Sequence, residues 1–98
     1  MADAPVESWY VYVIQSESDH SLYTGISRNP EERLRQHNSG KKGAKRTRGR
    51  GPWRLIAMYS CGLRGDALRL EYQLKGMSRE RKLAWAARNN VMCSRATT

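Results

Sequence analysis

The chain contains no phenylalanine, three prolines and two cysteines in 98 residues, and nine acids stand against eighteen lysines and arginines. Each shortage removes a class of protein. Cys61 and Cys93 lie far apart and offer no metal-ligand spacing, so the simple reading is a reduced protein, cytoplasmic or otherwise intracellular. No apolar run approaches the roughly 20 residues that span a bilayer, which argues against a membrane protein. Residues 1–8 carry acids and no apolar segment, so they read as a flexible leader rather than a secretory signal. With 39% hydrophobic and 28% charged residues the composition is that of a folded chain, and three Trp and five Tyr supply bulk where Phe is missing. The length allows one domain with one modest core.

The shortage of acids leaves a formal charge of +9. So large an excess on so small a body favours polyanionic partners: DNA, RNA or an acidic membrane surface. Membrane binding would want a basic amphipathic helix with bulky apolar residues opposite. None is present, because the densest positive charge lies in a Gly-rich stretch. Nucleic acid is the expected partner.

Trp9–Ile14 is aromatic and β-branched and reads as a strand. Gln15–Ser21 reads as a turn and Leu22–Ile26 as a second, hairpin-paired strand. Gly25 inside that strand hints at a bulge or at close approach of another backbone. A helix is expected from Asn29 to His37, with Asn29 as cap, Pro30 in the first turn and Glu32 closing a capping box. Arg33 and His37, spaced i,i+4, share one face of it. Lys41–Gly51 is a loop holding six basic residues and no acid. Pro52–Tyr59 reads as a third strand and Leu63–Met77 as a helix with an apolar stripe of Leu63, Ala67, Leu70, Leu74 and Met77. Ser78 caps a last helix carrying Leu83, Trp85 and Ala87, and residues 89–98 form a tail. The expected domain, residues 9–88, is α+β: a small three-stranded antiparallel sheet flanked by helices in the order β-β-α-β-α-α.

Cutting a phosphodiester requires a base to activate water, a cation to steady transition-state charge and a metal to assist the leaving oxygen. Most of the nine acids fall in the leader, a turn or the first turn of a helix, where the dipole accounts for them. Glu71 differs: it lies mid-helix and flanks the apolar stripe, a position from which a carboxylate can be aimed into a cleft. It could equally pair with Lys75 at i+4 as a solvated surface acid. Tyr10 and Tyr12 share a strand face and could be simple packing. Arg33 could pair with Glu32, and His37 could be structural. Trp53 more naturally begins a core strand than stacks on a base.

Tyr10-Val11-Tyr12 followed by Tyr23-Thr24-Gly25 resembles the paired motif of the GIY-YIG nucleases, with Tyr10 where that family's glycine stands. Arg33 falls ten residues after Tyr23 and Glu71 thirty-eight after Arg33, in the order and spacing of the family's site. Arg33, His37, Asn38, Thr47 and Gly51-Pro52-Trp53 resemble the branch of small bacterial single-domain members and the catalytic domain of structure-selective junction endonucleases. The cysteine-rich RING-like module of the latter is missing here. The resemblance implies a metal-dependent DNA endonuclease, structure-selective and serving repair or recombination. It implies Glu71 holding one Mg²⁺ or Mn²⁺, Arg33 stabilising charge, and Tyr12 and Tyr23 dividing the general-base role. It further implies His37 as a proton relay and Gly25 as the residue that lets substrate or a helix approach the strand. Some family members carry Lys directly after Tyr-x-Gly, whereas this chain has Ile26, so Arg28, Lys41 or Lys45 would have to supply that cation.

Arg28, Lys41, Lys42, Lys45, Arg46, Arg48 and Arg50 are the candidate phosphate contacts. The residue pattern by itself does not choose DNA over RNA; the lean to DNA comes from the resemblance. A monomer or weak dimer is expected, with a protein partner supplying substrate selectivity. The alternatives are a non-catalytic or partner-dependent nucleic-acid-binding module and a small RNA-binding protein of ribosomal type. Backbone contact makes one outcome common to all three: affinity for an oligonucleotide falls steeply with salt, by a log–log slope of about −0.9 per phosphate neutralised on duplex DNA. Fluorescence anisotropy across a salt series checks it, and a flat profile would remove the basic loop from the interface.

Overall fold

The computed structural model describes residues 8–39, 47 and 49–90. Its elements are β1 (Trp9–Ser16), β2 (Leu22–Ser27), α1 (Pro30–Ser39), β3 (Trp53–Gly62), α2 (Arg64–Lys75) and α3 (Arg79–Arg88). The sheet is antiparallel throughout with order β2-β1-β3. This is the β-β-α-β-α-α architecture expected from the sequence.

β1 is the centre of the sheet, and its apolar run is covered on both faces. Val11, Val13 and Ile14 are fully buried. Val11 packs with Ala67 and Leu74 of α2, and Val13 with Ala86 of α3. Tyr12 and Ile14, pointing the other way, pack with Trp53 and with Leu34 of α1. A continuous rather than alternating apolar strand is what two-sided burial demands. Each such side chain contributes about 1.5–3 kcal/mol relative to exposure.

Element ends differ from the sequence reading for identifiable reasons. β1 runs to Ser16 because that residue is buried and its hydroxyl donates to the Arg50 carbonyl at 2.5 Å while accepting from Ser18 N–H at 3.1 Å. The turn is shortened accordingly. β3 starts at Trp53 and runs to Gly62, with two irregularities in its pairing to β1. Val13 faces Ala57 but Ile14 faces Leu55, and Trp9 faces Gly62 but Tyr10 faces Ser60. Ile56 and Cys61 are therefore extra residues that bend β3. Asn29 caps α1, its Oδ1 accepting from Glu32 N–H at 3.2 Å. The reciprocal half of the box is absent: Asn29 N–H donates to Ser27 Oγ at 2.9 Å, and Glu32 pairs with Arg35. α2 excludes both Leu63 and Met77 and stops at Gly76. Ser78 caps α3, accepting from Arg81 N–H at 3.2 Å. The packed region reaches past both expected edges, since Ser8 is buried and bonds Ser60 at 2.8 Å, and Asn90 bridges to Ala57.

β2 pairs with β1 without a register shift, so Gly25 marks no bulge. Nor does another backbone approach it. Gly25 lies directly opposite Tyr12, whose side chain crosses over it: a Cβ on Gly25 would stand 2.6 Å from the Tyr12 hydroxyl. The glycine is what lets that ring lie flat across the neighbouring strand. Gly25→Ala is therefore expected to cost about 1–3 kcal/mol in chemical denaturation, the usual range for overpacking. Gly65→Ala, at a position where a Cβ meets nothing within 4 Å, should be neutral or stabilising. Equal effects of the two substitutions would contradict the role given to Gly25.

Candidate active site

The site is assembled from four elements. β1 supplies Tyr12 and β2 supplies Tyr23, with ring centroids 6.4 Å apart. α1 supplies Arg33 and His37 from one face, and both converge on the Tyr12 hydroxyl. His37 Nε2 lies 2.9 Å from it, and the Arg33 guanidinium is within hydrogen-bonding reach. The Tyr23 ring meets His37 edge-on at 5.1 Å. Arg33 Nη1 also donates to Gln36 Oε1 at 2.7 Å. Its expected partner Glu32 turns instead to Arg35.

The far side of His37 is held by a residue not counted among the candidate site residues. Nδ1 lies 2.8 Å from the Thr47 hydroxyl, and both residues are buried. Thr47 is itself fixed by Trp53, whose indole N–H donates to its carbonyl at 3.0 Å. Asn38 adds a second clamp between α1 and β3. Its Oδ1 accepts from Trp53 N–H at 2.6 Å, and its Nδ2 donates to the Trp53 carbonyl at 3.0 Å. Trp53 is buried at the start of β3, as expected. Thr47 was among the residues carrying the family resemblance, but with no role attached. Only its distance to His37 gives it a place in the site.

Burial controls the protonation of this cluster. It pushes the Tyr12 phenol well above its ordinary range, and a negative charge on Tyr23 or Glu71 would push the same way. Arg33 opposes that shift by charge and by hydrogen bonding, without cancelling it. Burial also lowers His37 to about 4, and the positive charge of Arg33 adds to that effect. Near neutral pH the pair is thus a protonated phenol against a neutral imidazole.

Glu71 sits on α2 with its side chain 19% exposed and Oε2 3.2 Å from Lys75 Nζ. The i+4 ion pair read from the sequence is therefore formed. It does not isolate the carboxylate from the site, because its charge is felt at Tyr12. Lys75 is half exposed, and surface pairs of this kind contribute only about 0–1 kcal/mol, so a competing cation displaces it at little cost. No three of His, Cys, Asp and Glu gather around a common point among the described residues. One accessible carboxylate suits a hard divalent cation that keeps most of its waters, not an all-protein cage.

A cleft of about 330 Å³ opens beside Tyr23, lined also by Ser21, Leu22, Arg50 and Trp53. Arg50 is exposed there. Arg28 stacks on the Trp9 ring at 5.3 Å, and Arg64 lies over the same ring at 5.4 Å. Gly25 is buried under Tyr12, so it faces that ring. Lys41, Lys42, Lys45, Arg46 and Arg48 lie outside the described residues. No helix among the described residues is long and apolar enough to cross a membrane.

Two tyrosines on adjacent antiparallel strands, Arg and His on the following helix and a carboxylate on the next are placed as the sequence resemblance implies for a nuclease-type catalytic domain. The chain belongs to the GIY-YIG family: residues 8–84 match the GIY-YIG catalytic domain. Similar proteins include the UPF0213 protein of Aeromonas hydrophila subsp. hydrophila, 47% identical over 79 residues. That match takes in 81% of this chain and 57% of the relative, so the chain spans little more than half of its length. The UPF0213 protein BH0048 of Halalkalibacterium halodurans is 45% identical over 73 residues, covering 74% of this chain and 76% of its own. The solution NMR structure of the UPF0213 protein BH0048 from Bacillus halodurans superposes with a TM-score of 0.55 at 39% identity, covering 86% of this chain and 87% of the other.

The depressed His37 value has a measurable consequence. Folding favours neutral His37, so its stabilising share is whole above the ordinary histidine value near 6.5. It is lost as pH falls from there to about 4. Urea denaturation at a series of pH values should show a decline across that window that is smaller in His37→Gln. An unchanged profile in the variant would show that His37 is not the group responsible.

Proposed function

We propose that this protein is a metal-dependent endonuclease that hydrolyses DNA phosphodiester bonds, with selectivity for branched or distorted structures in repair or recombination. The observation that carries the reading is the convergence of Arg33 and His37 on the buried Tyr12 hydroxyl, with the Glu71 charge acting on the same atom. Membership of the GIY-YIG family supports it independently.

Burial keeps the Tyr12 proton in place, so a standing phenolate is not the base. Tyr12 instead passes a proton along: its oxygen takes one from the attacking water while its own passes to His37 Nε2, 2.9 Å from that oxygen. The water oxygen bonds to phosphorus as the bond to the leaving oxygen breaks. Arg33 offers its planar fork to the phosphate oxygens and favours the developing negative charge on Tyr12. Tyr23 bounds the cleft and packs on His37, which restricts the imidazole to the orientation the relay needs. Glu71 would hold one divalent cation, Mg²⁺ or Mn²⁺, which would supply charge neutralisation at the leaving oxygen. Arg50 and the basic stretch 41–48 hold the flanking backbone, with Arg28 at the edge.

A second reading, a nucleic-acid-binding module that needs a partner for catalysis, is favoured by one observation. The lysine some family members place after Tyr-x-Gly is Ile26 here, and among the described residues Arg33 lowers the Tyr12 phenol without cancelling the effect of burial. Incubation of purified protein with supercoiled, single-stranded and branched DNA separates the two. The nuclease predicts Mg²⁺- or Mn²⁺-dependent cleavage, strongest on branched DNA. Glu71→Ala should lower it by about 100-fold or more, the scale set by losing one charge-stabilising group. Salt-sensitive binding without turnover, unchanged in Glu71→Ala, would support the module instead.

A further inference from the structure

The relay described above works only if His37 Nε2 presents a lone pair to the Tyr12 hydroxyl, 2.9 Å away. Imidazole has two neutral tautomers, and the hydrogen bond at one nitrogen selects which is present. We infer that Thr47 is a positioning residue: its buried hydroxyl accepts the His37 Nδ1–H and so fixes Nε2 as the proton acceptor for Tyr12.

Three observations on the molecule support this assignment. The Arg33 guanidinium, a group that only donates, stands within hydrogen-bonding reach of the Tyr12 oxygen. Tyr12 itself is protonated, and its hydroxyl is buried, so that proton needs an acceptor. His37 Nε2 stands at 2.9 Å. An Nε2–H would instead place a second donor against the same oxygen. The proton on the ring then belongs to Nδ1, where the Thr47 oxygen stands 2.8 Å away. Thr47 is held for this task from behind: it is 1% exposed, and its carbonyl is tied to the Trp53 indole. Trp53 in turn is clamped on both backbone groups by Asn38, the residue after His37. The histidine and the group that orients it are thereby fixed to one frame.

This inference rests on the nuclease reading for its consequence but not for its first test. Long-range ¹H–¹⁵N correlation of the imidazole nitrogens, with His37 assigned through a His20→Asn variant, reads the tautomer directly. The expected pattern is a protonated Nδ1 and an unprotonated Nε2 in the wild type, and a shift toward the other tautomer in Thr47→Val. An Nε2–H tautomer in the wild type would overturn the proposal, whatever the protein does to DNA. On branched DNA with Mg²⁺, Thr47→Val should lower kcat by about 10- to 100-fold, as losses of an orienting partner do, with KM little changed. Thr47→Ser, which keeps the oxygen, should retain kcat within about threefold of wild type, well short of that range. Equal kcat in the Val and Ser variants would overturn it too. Should Thr47→Val fail to fold, the wild-type tautomer and the Ser variant still decide the matter. A wild type that cuts nothing would defeat the nuclease reading and leave the tautomer measurement to judge Thr47.

Discussion

The burial of the Tyr12 hydroxyl is the constraint around which this domain is organised. Tyr12 lies on the central strand, and its ring crosses a glycine on the next one, so its polar end comes to rest inside the protein. A buried hydroxyl must find partners or cost about 1–3 kcal/mol. Here the partners are Arg33 and His37, one turn apart on α1. That single requirement fixes the rotation of α1 against the sheet. Through Asn38 and Thr47 it also fixes where the chain re-enters the sheet at Trp53.

The same burial sets the chemistry. Low local dielectric disfavours charge on both Tyr12 and His37, so the resting pair is neutral and the proton stays on Tyr12. Arg33 is the counterweight: it makes ionised Tyr12 more accessible and protonated His37 less so. Glu71 works in the opposite sense on Tyr12, and the Lys75 ammonium 3.2 Å from its carboxylate offsets part of that charge.

The fold was largely legible in the sequence because its signals are local. The apolar run of β1, the Asn29 and Ser78 caps and the Ala67–Leu74 stripe each follow from residues within a few positions of one another. What was misjudged depended on partners distant in sequence. The extension of β1 rests on Ser16 meeting the Arg50 carbonyl, and the two irregularities of β3 follow from its pairing with β1. Gly25 was recognised as unusual, but the group filling its space came from the opposite strand rather than another backbone. In the site, the order Tyr, Tyr, Arg, Glu was named through the family resemblance. Thr47 was named with it too but given no role, because its partner becomes known only from its distance to His37.

By itself, then, the sequence determined the element order, the positive charge that calls for a polyanion, and the residue types able to act on a phosphodiester. Those properties are additive over the chain and need no geometry. Only the tertiary structure decided the protonation of Tyr12 and His37, the glycine that admits the ring, and the threonine that orients the imidazole. Desolvation and hydrogen-bond direction depend on what surrounds an atom in space, and residues 12, 25, 37 and 47 become neighbours only when the sheet and α1 close on one another.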